Sequence, residues 1–493
     1  MTVNKIRFTM FFLLVFYFAS RILFIFKFPL FHDEAMYIHW AQAVADDWFN
    51  RYVSLIDGKQ PLFIWLASLS LQLVKNPIVA GRLVSVFSGA LSLLGIYLIG
   101  KELFDYQTGM IASLIYIIIP FTFIYDGLAL MDSLLLMLGV YACFLTIKLV
   151  KNQQKEQMFL LGFVLGLGLL TKSSAVFFIY LLPFSLIVAE KEKNIKRLLI
   201  LFLGAIGIAK LIEAVMRFSI YYPIIESKNH QFIYTFKEIF HNPLIGIKNN
   251  LFIIPSWIIS YLGVPVIIFA CLSLVITKEK KAVVFTSLYT IIPIVVSVIF
   301  AKLSYPRHFL FAVWPILLLA AVTVNKLTKL ISGQLKYLII LVLFVIVIGA
   351  FKTDLNLLFN TSKASLPSIE RWQFFEGEPS GYGLENLYDF FDVKKEKILV
   401  FTDRSMGILA DGLAIHYQKN NLIKIVGSDE ITKNMIIDQI NRYRPDKIYL
   451  ILSWQMLPEG IEVVLEKEII RPGGLNHYWR IYRLTKTPSR KDR

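Results

Sequence analysis

The sequence predicts a polytopic α-helical membrane protein over residues 1–351, carrying a soluble α/β domain over residues 352–493. Three observations predict it. The first is composition: 56% of the 493 residues are hydrophobic and 17% charged, against about 45–50% and about 25% in soluble domains. That excludes a disordered chain, a coiled coil and an ordinary cytosolic enzyme. The second is where the net charge of +16 sits. Residues 1–351 hold 30 Lys/Arg against 16 Asp/Glu, and residues 352–493 hold 21 against 19. The basic excess lies in loops between apolar segments, as topology rules require, so no nucleic-acid partner is expected. The third is a change of pattern after residue 351, from long apolar runs to short strand-like and helix-like segments. Cys143 and Cys271 both lie in apolar runs, which excludes a disulfide scaffold and a cysteine metal site.

Spanning a bilayer takes about 20 apolar residues, fewer where helices are broken. Eleven spans are expected, near 8–28, 83–100, 110–126, 132–150, 158–171, 174–189, 198–218, 255–276, 282–300, 309–324 and 335–351. The apolar run Pro61–Val74 is short and reads as an interfacial or re-entrant helix. With Lys5 and Arg7 in the cytoplasm, the alternate loops are short and basic, as in Lys278–Lys281 (KEKK). The other side receives longer, mixed stretches, including 29–82 and 219–254, and an odd span count places the tail there too. A multi-pass protein of the cell membrane is expected, with that face and the tail extracytoplasmic. In the tail, Lys397–Thr402, Leu422–Val426, Lys447–Leu452 and His477–Leu484 read as strands. Ser405–Asn420 and Glu430–Arg442 have helical spacing, and 353–395 reads as an irregular, aromatic-rich linker.

The ionisable residues of the outer side fall together. His32-Asp33-Glu34 follow the first span, and Asp57-Gly58-Lys59-Gln60-Pro61 precede Trp65. Asp126 and Asp132 bracket an outer turn, Thr171-Lys172 end a glycine-rich span, Glu226 and His230 lie in the long loop, and Arg307-His308 precede a span. Each has an ordinary structural alternative: a cap for Asp33 or Asp132, snorkelling for Lys59 or Lys172, a topology charge pair for Arg307-His308. Their joint occurrence on one side points to a site. A secondary transporter would instead spread ionisable groups through span interiors and show repeated halves, and the sequence has no internal repeat.

At these residues the chain resembles the polyprenyl-phosphate-sugar-dependent glycosyltransferases of GT-C fold, among them the protein O-mannosyltransferases and the lipid A aminoarabinose transferases. The resemblance rests on Asp33-Glu34, on Lys59-Gln60-Pro61-Leu62 with Trp65, on Leu130-Met131-Asp132, on Gly166-Leu167-Gly168 with Thr171-Lys172, and on Arg307-His308-Phe309-Leu310 leading into Pro315. These occur in the family's order across residues 1–325. Two departures stand out. Gln60 replaces the first proline of the family's pair, and Gly58 stands where some relatives carry a metal-binding acid.

The resemblance implies a hexosyl or pentosyl transferase that moves a sugar from a polyprenyl-phosphate donor to an acceptor hydroxyl on a lipid, glycan or protein, with inversion. An O-antigen ligase or polymerase is the nearest alternative. A hydroxyl nucleophile needs a base, a role that falls to Asp33 with Glu34 as alternate or partner. The leaving phosphate needs cations, supplied by Lys59, Arg307 and Lys172 with His308 beside them. Asp132, Asp126, Glu226, His230 and His32 are candidates for acceptor contact, or for holding a divalent cation (Mg, Mn or Zn) as an optional cofactor.

Overall fold

The computed structural model describes residues 3–190, 193–330, 349, 351–360, 363–453, 455–472 and 478–486. The body is a helical array. It opens with α1 (Val3–Lys27) and α2 (His32–Asp46), followed by a 3-10 stretch Trp48–Asp57, α3 (Leu62–Leu73) and α4 (Pro77–Leu103). Then come α5 (Tyr106–Ile118), α6 (Pro120–Gly127), α7 (Met131–Asn152), α8 (Lys155–Thr171) and α9 (Val176–Tyr180). The last group is α10 (Ile195–Glu213), α11 (Ile224–Phe232), α12 (Phe236–His241), α13 (Ile245–Leu262), α14 (Val264–Ile276), α15 (Lys280–Phe300) and α16 (Trp314–Leu330). Helix starts carry the expected chemistry: Asn76 caps α4 ahead of Pro77, Asp105 caps α5 and Asn194 caps α10.

Five described segments are long and apolar enough to cross a membrane, and three bent helix pairs raise the number to as many as eight. This is fewer than the eleven expected. Proline and glycine break runs that read as continuous in sequence. α5 and α6 meet at 67° ahead of Pro120, α13 and α14 at 102° across Gly263 (φ +79°), and Pro306–Ala312 meets α16 at 54°. The stretch Ser173–Val188 is two 3-10 turns around the one-turn α9, and α8 has only 17 residues. The expected span at 335–351 lies almost wholly outside the described residues. α3 has 12 residues, about 18 Å of helix, and is too short to span.

In the tail, β1 (Ile398–Thr402), β2 (Ile423–Gly427), β3 (Lys447–Leu452), β4 (Val463–Ile470) and β5 (Tyr478–Leu484) form one sheet in the order β2-β1-β3-β5-β4. β1 pairs in parallel with β2 and β3, and β5 runs antiparallel to β3 and β4. Helices Ala410–Tyr417 and Lys433–Tyr443 follow β1 and β2. β4 is an addition to the expected strands. The region read as an irregular linker holds helices Ser368–Arg371 and Leu384–Asp392.

The tail docks on the start of α2. His32 N–H donates to Pro379 O at 3.0 Å, Phe31 and Ser380 form a β-bridge, and helix Ala410–Tyr417 lies along α2. His39 of α2 meets Asp411 at 2.6 Å.

Candidate active site

The site forms where α2 begins. Chain entering from α1 turns at Pro29-Leu30, and His32, Asp33 and Glu34 make the first helical turn, where acids suit the positive end of the helix dipole. Successive residues on a helix diverge by about 100°, so the acidic pair splits. Glu34 turns inward and Asp33 turns toward the other charged groups.

Asp33 Oδ2 meets the Arg307 guanidinium at 2.7 Å, and Oδ1 lies 3.8 Å from Lys59 Nζ. Both cations keep some access to solvent: Lys59 is 20% and Arg307 12% exposed. Burial disfavours the Asp33 carboxylate, but Lys59 and Arg307, helped by His32 and Lys172, outweigh it and hold the carboxyl well below the usual carboxylate range. Lys59 is the mirror image: burial opposes its charge, while Asp33 and Asp57 restore it and raise the ammonium above its ordinary value.

Gly58 sets the loop that delivers Lys59. Its φ is +66°, and a Cβ there would lie 2.6 Å from Cβ of Lys228 on α11. An acid at this position would have to take a left-handed conformation and push α11 away, which accounts for glycine here. The acid one residue earlier, Asp57, sits 3.4 Å from Lys59 and 2.6 Å from Lys228. Gln60 donates to Ser173 Oγ at 2.6 Å, tying the Lys59 loop to the residue after Lys172.

Lys172, at the C-cap of α8, reaches Asp132 in the first turn of α7 at 2.8 Å. Its charge acts on both Asp33 and His308, and that of Asp132 on Arg307. Burial lowers the Lys172 ammonium more than Asp132 restores it. Asp33, Lys59, Asp132, Lys172 and Arg307 therefore form one cluster, with His308 flanked by Tyr305 and Phe232 at its rim. Three cations face two acids, with Asp57 and Lys228 paired beside them. One positive charge is left over.

Several expected members are placed elsewhere. Glu34, expected as alternate base or partner, is fully buried. Both its oxygens are bound by Arg82, at 2.8 and 2.9 Å, and it also accepts from the Ala129 and Phe31 amides. Arg82 spends its remaining donors on the carbonyls of Ile25, Phe28 and Pro29. Glu34 is a clasp between α1, α2 and α4 and has no lone pair to offer. Asp126 is also sealed inside: it accepts from Tyr17 at 3.0 Å, Tyr116 at 2.9 Å and Ser133 at 2.8 Å, with Arg21 3.9 Å away. Both are fully buried, so neither the base role expected of Glu34 nor the acceptor or metal contact expected of Asp126 is open to a ligand in this arrangement.

Glu226 and His230 are exposed on α11, which presents Lys228 to the site instead. His32 lies beneath Gly407 of the tail, its Nδ1 buried without a hydrogen-bond partner. Among the described residues no group of three or more His, Cys, Asp or Glu converges as a metal site. The site acids are already neutralised by the chain's own cations, so a divalent cation does not fit this donor set.

Arg82, Lys228 and Glu370 are functional neighbours that the sequence pattern does not mark. Glu370, in the tail segment Ser368–Arg371, is fully buried and accepts from the hydroxyls of Tyr125 on α6 and Tyr261 on α13, the latter at 2.9 Å. Burial pushes its carboxyl up to about 7, although both tyrosines and the nearby Arg307 charge favour ionisation. Among the described residues its Oε1 has no hydrogen-bond partner.

The dolichyl-phosphate-mannose-protein mannosyltransferase family matches residues 58–216, a stretch holding Lys59, Asp132 and Lys172 but neither Asp33 nor Arg307. Among solved structures, ArnT from Cupriavidus metallidurans bound to undecaprenyl phosphate is similar, with a TM-score of 0.65, 12% identity and 98% of each chain covered. The same protein in its apo state gives 0.61 at 11% identity, covering 97% of this chain and 98% of that one. The apo oligosaccharyltransferase of Archaeoglobus fulgidus gives 0.55 at 11% identity, covering 91% of this chain and 70% of that one. No curated protein matches the chain by sequence. The structural likenesses run through helical body and tail alike and give the chain a GT-C fold, within which residues 58–216 are related to the dolichyl-phosphate-mannose-protein mannosyltransferase family.

Proposed function

We propose that the protein is a membrane glycosyltransferase that moves a hexosyl or pentosyl unit from a polyprenyl-phosphate donor to an acceptor hydroxyl, with inversion at the anomeric carbon. The observation that carries this reading is the cluster of Lys59, Lys172 and Arg307 around Asp33 and Asp132, with one positive charge in excess. A phosphodiester monoanion supplies the missing charge. The likeness to a protein bound to undecaprenyl phosphate supports a lipid phosphate as its source.

In the reaction the acceptor oxygen bonds to the anomeric carbon as the bond from that carbon to the phosphate oxygen breaks. The electron pair leaves with the lipid phosphate, whose growing charge faces Lys59, Arg307 and Lys172. The acceptor proton passes to Asp33. A carboxylate held this low is a weak base, so an empty site is poorly primed. Donor phosphate drawn to Arg307 and Lys59 competes with Asp33 for both cations, which raises its basicity when the donor is in place. No step needs a metal or a covalent enzyme intermediate.

The helical body 1–351 carries this site, its acidic motif in the 29–82 loop, and the tail 352–493 covers it from the extracytoplasmic side of the cell membrane. The test is incubation of purified protein in lipid nanodiscs with a panel of polyprenyl-phosphate sugars and a mixture of lipid, glycan and peptide hydroxyl acceptors, detecting released polyprenyl phosphate. One donor should be consumed, and Lys59→Ala should raise its KM. Consumption of none, or donor kinetics indifferent to Lys59, would overturn the reading.

A further inference from the structure

A second cavity opens on the face of α2 that meets the tail. It has a volume of about 340 Å³ and is lined by His39, Gln418, Asn420, Asn421, Lys424 and Tyr443 among others. That volume lies at the small end of the range for ligand sites. The lining is unusual for a gap between docked parts of one chain. It gathers three carboxamides, an imidazole, an ammonium and two tyrosine rings, with Ala414, Ile423 and Ile425 contributing apolar surface.

The hydrogen bonding shows what remains free for a ligand. His39 uses Nδ1 on Asp411, leaving Nε2. Asn420 spends Oδ1 on the Leu422 amide, leaving its NH2 group. The Asn421 carboxamide has no hydrogen-bond partner among the described residues. Lys424 reaches Gln439 at 3.3 Å with one of its three donors. These groups include both donors and acceptors, and none carries an unpaired negative charge. A sugar hydroxyl both donates and accepts, so adjacent hydroxyls on one ring suit such a wall, and the Tyr443 ring, with Lys397 Nζ 4.3 Å and Lys424 Nζ 5.6 Å from its centroid, lines one side.

Other occupants fit less well. A lipid chain would meet polar groups it cannot satisfy. A phosphate would find one ammonium where the catalytic cluster supplies three cations. An extended peptide would pair along the edge of the sheet, which β2 forms. The backbone at the entrance to that edge is already engaged: Leu422 N–H donates to Asn420 Oδ1, and Asn421 O accepts from Tyr443 at 3.1 Å.

We propose that this cavity is an acceptor subsite that binds a neutral saccharide unit remote from the hydroxyl being glycosylated. It deepens the glycosyltransferase reading and rests on it. His39 follows Asp33 by six residues on the same helix, about 9 Å along its axis, a separation a short oligosaccharide bridges. The acceptor class selected is therefore a glycan, free or attached.

The test uses full-length protein in nanodiscs and a panel of neutral hexose oligosaccharides, with binding read by saturation-transfer NMR. At least one should bind, and Asn421→Ala combined with Lys424→Met should weaken it tenfold or more at an unchanged melting temperature. In transfer assays with the donor identified above, the same substitutions should raise KM for that oligosaccharide about tenfold and move kcat less. Binding indifferent to these substitutions, or a Ser/Thr-containing peptide held there in place of the sugar, would overturn the proposal. Oligosaccharide binding with no donor consumed would overturn the acceptor role together with the glycosyltransferase reading. Donor consumption without oligosaccharide binding would overturn the subsite alone.

Discussion

Asp33 and Glu34 are chemically alike and adjacent, yet the fold gives them opposite work. Asp33 keeps access to solvent and pairs with cations that a ligand can take over. Glu34 is buried with every lone pair directed at Arg82 or a backbone amide. Removing one partner of a buried pair costs about 3–5 kcal/mol, so Glu34→Ala should sharply lower the melting temperature and the yield of folded protein. Asp33→Asn should lower melting less than Glu34→Ala, because its cations keep some access to solvent, while transfer falls by about 10²–10⁴, as measured by product formation in detergent. Glu370 adds a pH dependence. Its native carboxyl keeps a proton up to about 7, whereas an unfolded one loses it near about 4.3. The native state then binds more protons in that window, so this contribution is complete below it and is lost as pH rises through it. Melting temperature should fall across the window, and Glu370→Gln, permanently neutral, should flatten the fall.

At the scale of elements, breaks decide the architecture. Pro120 and Gly263 convert expected straight spans into bent pairs, and these bends place Tyr125 and Tyr261 at helix ends where Glu370 can reach both. The residues that bend the chain are visible in sequence; which of several prolines bends a helix is set by what packs against it. β4 went unread for a different reason. It is an edge strand, mostly exposed, with Glu466, Lys467 and Glu468 at its centre. Such charges guard an edge against further pairing and erase the alternation that reveals a strand. Gly407 joins tail to site: its φ is +102°, and any Cβ would run into the His32 ring. Gly407→Ala should push the β1 loop off the start of α2, lowering kcat several-fold while donor KM changes little. Increased proteolysis of the tail in limited digestion would check the undocking directly.

For the whole molecule, charge asymmetry predicts the orientation, and a reporter fused after residue 351 is expected to read as extracytoplasmic. A cytoplasmic signal there would reverse the sidedness of both site and tail. The sequence by itself determined the membrane class, four of the five strands, and the identities of Asp33, Lys59, Asp132, Lys172 and Arg307 as polar residues at the ends of apolar runs. These are legible because burial in lipid constrains composition locally, so a charge beside a span stands out without knowledge of its neighbours. Only the tertiary structure decided which charges meet. It turned Glu34 into a clasp through Arg82, withdrew Asp126 into the helix interior, exchanged Glu226 and His230 for Lys228, and brought Glu370 from the tail to within reach of two spans. Each outcome depends on partners far apart in the chain, 48 residues for Glu34 and Arg82 and 245 for Glu370 and Tyr125. A side chain's role in a low-dielectric interior follows from the groups that share its burial, and sequence spacing carries no record of them.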